Sequence, residues 1–121
     1  MPGKWLRTTV AVAAAAATLL PASPANAASP CTISGALCLY DGPGFTGNLF
    51  TASALTPAGV CVNLAAHGWG GGRVKSAVNR NAKTAVLYAS TNCTTGGPFQ
   101  YVFPNQLVSP VGVTANSAFV Y

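Results

Sequence analysis

The chain has 121 residues, the length of one domain. It carries six Lys and Arg, one His, a single acid (Asp41) and no glutamate, for a formal charge of +5. Half of it is hydrophobic, and one carboxylate excludes the paired acids of glycoside hydrolysis.

Read in chain order, the N-terminus has Lys4 and Arg7 ahead of an apolar, alanine-rich run from Thr8 to Leu20. Pro21 ends that run, and Ala25-Asn26-Ala27 is an A-x-A cleavage signal. This pattern is a secretory signal peptide over 1–27, leaving a domain over 28–121 and a secreted, extracellular product. The run is shorter than the ~20 residues that span a membrane, so no membrane association is expected after cleavage. Cys31 follows Ser29-Pro30 rather than a lipobox, so a lipid anchor is not expected.

Cys31, Cys38, Cys61 and Cys93 are an even set in a small exported domain, which predicts two disulfides. Three pairings are possible. In one of them Cys31–Cys38 closes a short N-terminal loop and Cys61–Cys93 ties the two halves together, a closure of about thirty residues worth ~3–4 kcal/mol. A lone histidine and the absence of a CxxC pair argue against zinc.

Beyond Ala27 the pattern is that of short strands between Gly, Pro and Asn clusters. Strands are predicted at Ala36–Tyr40, Asn48–Ser53, Gly59–Leu64, Lys75–Asn79, Lys83–Ala89, Phe99–Phe103 and Ser117–Tyr121, with a glycine loop over Ala65–Gly72. Val60, Val62 and Leu64 alternate with Cys61 and Asn63, as in a half-buried strand. A weak repeat relates the halves: Leu39-Tyr40 recurs as Leu87-Tyr88, and Ser76-Ala77-Val78 as Ser117-Ala118-Phe119. Two such units make an all-β sandwich of about eight strands with Greek-key connections.

CLYDGPGFTG, Cys38 to Gly47, is the most specific stretch. Tyr40 and Phe45 are placed to stack across a folded hairpin, and Gly47 is free to take positive φ. Aromatic-x4-aromatic-x-Gly resembles the Greek-key signature of βγ-crystallin domains. With the cysteines, the Gly59–Leu64 strand, the tryptophan loop and Arg73–Val78, the chain from Cys31 to Tyr121 is similar to peptidase inhibitor family 36, small secreted bacterial proteins whose named members inhibit metalloproteinases. The resemblance implies a proteinaceous inhibitor and not an enzyme, with a secreted metalloproteinase as partner. The second half departs from the pattern, since Tyr88-x4 reaches Cys93 instead of an aromatic. The family's characterised inhibitor staples its reactive loop with a short second-half disulfide. Here Cys93 is the sole cysteine after Cys61, so Thr94, Thr95, Gly96 and Gly97 are expected to form a contact loop anchored at Cys93.

The resemblance also raises calcium, which takes six to eight oxygen ligands. Gly71, Gly72 and Lys75 stand at the matching positions of the first unit, and Gly112, Val113 and Asn116 at those of the second. No metal or cofactor is therefore expected, and Asp41 is assigned to its own turn. A Ser-His67-Asp41 triad has no supporting motif. Trp69 is a candidate partner contact. Asn92-Cys93-Thr94 matches the glycosylation pattern by chance. Arg73, Lys75, Arg80 and Lys83 form one basic stretch, too sparse for nucleic acid. It offers a second reading, a toxin-like or antimicrobial protein that binds cells through these cations and Trp69. A third is a structural extracellular protein without a discrete site. A monomer is expected.

Overall fold

The computed structural model describes residues 29–121; the segment read as a signal peptide lies outside the described residues. Eight strands follow in order: β1 Leu37–Gly42, β2 Thr46–Ala52, β3 Val60–Asn63, β4 Ser76–Asn79, β5 Ala85–Tyr88, β6 Phe99–Val102, β7 Leu107–Val108 and β8 Ser117–Val120. They form two antiparallel four-stranded sheets, ordered β2-β1-β4-β7 and β3-β8-β5-β6. The third strand of each half thus crosses to the other half's sheet, so neither half closes its sheet alone. The predicted sandwich is present and all seven predicted strands appear within it. The eighth, β7, has two residues, with only Val108 buried; so short a strand carries no alternation to detect. One turn of 3-10 helix, Ala65–His67, opens the predicted glycine loop.

Inward-facing Leu37, Leu39, Leu87, Val102 and Val120 fill the space between the sheets with Leu64, each at most 2% exposed. Burying each such side chain contributes about 1.5–3 kcal/mol. β1 is buried on both faces. Its outward Cys38 and Tyr40 pack with Cys31 and Val78 beneath the N-terminal segment. That segment is fixed by the Cys31–Cys38 disulfide, by Arg80 donating to the Cys31 carbonyl, and by the Tyr40 hydroxyl donating to Pro30 O at 3.1 Å. The second disulfide joins Cys61 to Cys93, so the observed pairing is the one that ties the halves.

Buried polar groups are satisfied by neutral side chains. Asn79, fully buried on β4, donates to Lys83 O (2.9 Å) and Val102 O (2.8 Å) and so links the two sheets. Ser76 and Ser117, also fully buried, do the same job in the two halves. The Ser76 hydroxyl donates to Gly42 O (2.8 Å) and accepts from Phe45 N (2.9 Å). The Ser117 hydroxyl donates to Ser90 O (2.7 Å) and accepts from Cys93 N (2.9 Å). Phe45 and Cys93 both sit at positive φ, 64° and 56°, a conformation that costs a non-glycine residue and needs such support.

The first hairpin folds over as the sequence suggests. Tyr40 and Phe45 meet edge to face, with centroids 6.1 Å apart. The ladder shifts register between Tyr40 and Gly42, leaving Asp41 on a bulge. Its carboxylate accepts from Asn48 N (2.7 Å) and Asn48 Nδ2 (2.9 Å) across the hairpin and pairs with Arg73 (3.2 Å). Asp41, expected to cap its own turn, instead braces the hairpin's far strand and Arg73, because the bulge turns its carboxylate toward Asn48. Gly47, at φ 86°, lies against it, and a Cβ there would collide with Asp41 Oδ1.

Gly47→Ala is expected to destabilise the fold by about 1–3 kcal/mol, from positive φ and from the displaced carboxylate; a urea midpoint equal to that of the parent protein would contradict this. The Asn48 side-chain and backbone bonds, then Arg73, hold the Asp41 carboxyl below its ordinary value. Its contribution to stability is complete above the unfolded-state value near ~4 and is lost as pH falls through the lowered folded one. Urea midpoints taken from neutral to acid pH should fall on that acid limb, and Asp41→Asn should flatten the limb.

Candidate functional site

The loop from Cys93 to Pro98 joins β5 to β6 at one end of the second sheet. Thr94, Thr95, Gly96 and Gly97 are all exposed. Sequence alone suggests one anchor, at Cys93; the structure adds hydrogen bonds on both sides of the loop. The Cys93 amide is held by Ser117, the Thr94 amide donates to Ser90 Oγ (3.0 Å), and the Thr94 hydroxyl donates to Asn92 Oδ1 (3.2 Å). On the far side Ala89 N donates to Pro98 O at 3.0 Å. Both shoulders are thus fixed and the Thr95–Gly97 tip projects between them. A Cβ on Gly96 or Gly97 would meet nothing within 4 Å, and neither has positive φ, so the fold itself does not demand glycine there.

The loop is the counterpart of the first hairpin with its chemistry exchanged. Phe45 pins the first corner by packing on Tyr40; Cys93 holds the equivalent positive-φ place and is pinned covalently to Cys61. Tyr88 is consequently not stacked on its own corner and instead lies 6.1 Å from Phe99 on β6.

Strand register shows which side chains share the loop's face. Asn63, Ser117, Tyr88 and Phe99 form one cross-strand rank, and Cys61, Phe119, Val86 and Tyr101 the next. The disulfide and the serine that hold the loop therefore point to the same side of the sheet as Phe99 and Tyr101. Phe99, Tyr101 and Phe103 are 42%, 50% and 53% exposed, with successive centroids 5.5 and 5.8 Å apart. This row is visible in the sequence as aromatics at alternate positions of the Phe99–Phe103 strand. Reading that segment only as a strand leaves the face it presents unasked.

Trp69, expected as a partner contact, is not on the surface: it is 7% exposed. Its ring packs 5.4 Å from Phe50 and is covered by the Arg73 guanidinium at 4.2 Å. Arg73 also donates to Asp41 and to Gly68 O (2.9 Å). A cation laid over the ring and an aromatic beneath it bury a residue that a glycine-rich flank makes look exposed. His67 is exposed and leans on Phe50, 5.6 Å away. The basic stretch is not a patch of unengaged charge. Arg73 pairs with Asp41, Arg80 is tied to the Cys31 carbonyl, and Lys83 lies 5.2 Å over the Tyr121 ring. Among the described residues no group of three His, Cys, Asp or Glu side chains could hold a metal, and no ligand-sized cavity is formed.

A comparison with known proteins adds one match. The sequence profile of peptidase inhibitor family I36 matches residues 24–101. No curated protein and no solved structure matches the chain. The match takes in the first half, both disulfides, the Cys93–Pro98 loop and most of β6, while β7 and β8 complete the sheets beyond it. On that match, which covers well over half its length, the chain belongs to peptidase inhibitor family I36.

Proposed function

We propose that the protein is a secreted inhibitor of a metalloproteinase, acting by occupying the enzyme's cleft with the Cys93–Pro98 loop and catalysing nothing itself. Membership of a peptidase inhibitor family supports a protease partner. The observation that carries the choice of loop is its fixation on both shoulders: the Cys61–Cys93 disulfide and the Ser117 and Ser90 bonds on one side, the Ala89–Pro98 bond and β6 on the other. A segment rigid before binding gives up little conformational entropy on docking, which raises affinity. The same fixation resists turnover. Were a bond at the tip cut, both new ends would stay tethered to the sheet, so the product would not diffuse from the cleft. Three of the four cations also have partners within the molecule, Arg73 with Asp41, Arg80 with the Cys31 carbonyl and Lys83 over the Tyr121 ring, which favours the loop over the basic stretch as the contact surface.

Inhibition kinetics of the purified, folded protein against zinc metalloproteinases, with serine proteases as controls, test the proposal. Saturable inhibition confined to the metalloproteinases is expected; inhibition of none at micromolar concentration would refute it. Ser117→Ala should separate rigidity from contact. It leaves the Cys93 amide and Ser90 carbonyl unpaired, costing about 1–3 kcal/mol of stability. It should weaken inhibition while touching no residue of the tip.

A further inference from the structure

The Thr94–Gly97 tip is poor in side chains. Two threonines and two glycines supply backbone shape and a few hydroxyls, but little apolar area. A specific protein complex buries about 800 Å² on each partner, with its energy concentrated in a few apolar anchors. On the proposed reading those anchors have to come from beside the loop, and among the described residues the exposed aromatics of Phe99–Phe103 adjoin it.

We propose that the aromatic row Phe99, Tyr101 and Phe103 is a second contact surface, docking against an uncharged, apolar wall beside the active-site cleft of the inhibited protease. The inference rests on the inhibitor reading and adds to it where the affinity comes from. Phe99 belongs to the cross-strand rank that includes Ser117, and Tyr101 to the rank that includes Cys61, so the row and the two groups that hold the loop share one face. A partner seated on the tip meets the row next. An aromatic side chain buries roughly 150–250 Å² when fully enclosed. Three rings that are about half exposed therefore offer on the order of 300 Å² of ring surface, contiguous with the loop.

The two outer faces of the sandwich are not alike. That of the first sheet is closed by the N-terminal segment, which buries Cys38, Tyr40 and Val78. That of the second keeps its aromatics in solvent, and Val86 and Phe119, half-buried, continue the apolar surface across β5 and β8. The two ranks carry no charged side chain, so an uncharged partner surface is required. The ring planes are inclined to their neighbours by 77° and 30°. They present a stepped relief rather than the flat platform that stacks on a polysaccharide chain, which favours a concave protein surface.

The test is to replace Phe99, Tyr101 and Phe103 by serine, singly and together, and to measure the inhibition constant against whichever metalloproteinase the wild type inhibits. Phe99 and Tyr101 are on the solvent side of edge strand β6 and Phe103 follows it, all three exposed, so thermal midpoints are expected to stay close to the parent's. Leu49→Ser, an equally exposed apolar position on β2 of the other sheet, is the control. Each single row variant should raise the inhibition constant about tenfold or more, as truncated anchors do, with Leu49→Ser unchanged. Where a row variant lowers the midpoint, Tyr101→Phe should retain inhibition by keeping the ring. If the wild type inhibits and the triple variant inhibits equally well, the row is not a contact and only this inference falls. If wild-type protein sediments as a dimer that the triple variant dissolves, with inhibition unaltered, the occupant is a second copy and the inference is likewise overturned. Row-dependent retention on insoluble polysaccharide, again with inhibition unaltered, assigns the face to a glycan instead. If the wild type inhibits nothing, the inhibitor reading and this one fall together.

Discussion

The hydroxyl of Ser117 holds the site in place. It is fully buried, gives its proton to Ser90 O and takes one from Cys93 N. The backbone at Cys93 can then stay at positive φ, the disulfide to Cys61 can reach across the face, and the loop leaves the sheet at a fixed angle. Ser76 does the same for Phe45 in the first half. Neither bond is strong alone, since a neutral hydrogen bond contributes about 1 kcal/mol net. Their weight comes from what their absence would leave, two partly buried backbone groups without partners in each corner.

This reliance on neutral side chains follows from composition. With one acid in the whole chain, ion pairs cannot organise the interior. Asn79 joins the sheets, and Asn116 ties the glycine loop to the second hairpin by accepting from Gly71 N (2.8 Å) and donating to Ala89 O (2.8 Å). Neutral amides and hydroxyls are cheaper to bury than charges and, once paired, do not titrate. Asp41 is the only side-chain carboxylate in that framework, and its lowered pKa places its effect on the acid limb.

Much of the first half is legible in the sequence because each device is local. Tyr40, Phe45 and Gly47 lie within one hairpin, whereas the alternation of Val60, Val62 and Leu64 is matched only in part, with Leu64 buried, Val62 half-buried and Val60 42% exposed. The exchange of the third strands is not legible, because it depends on contacts between halves that no short window contains. Trp69 is misread for the same reason: Phe50 and Arg73, which enclose it, come from other segments. The second corner is legible only by analogy, for Cys93 replaces an aromatic with a covalent bond whose partner lies more than thirty residues upstream. The loop's position was available from its cysteine, whereas its rigidity was not, since Ser117 follows it by 24 positions.

An exposed aromatic edge strand on a sparsely charged protein invites self-association, and β6 shows how that hazard is contained. Pro98 and Pro104 bracket the strand, and neither has an N–H to offer a neighbouring chain. The Phe103 amide is occupied by Gln106 Oε1 at 2.8 Å, and Val102 O receives the Asn79 amide. The edge of β6 is therefore blunted against pairing with another strand, while its side-chain face is left open. A surface used for strand addition would show the reverse, a free backbone edge and unremarkable side chains. The arrangement here suits a partner that reads ring shape and apolar area, held in register by a rigid loop a few residues away.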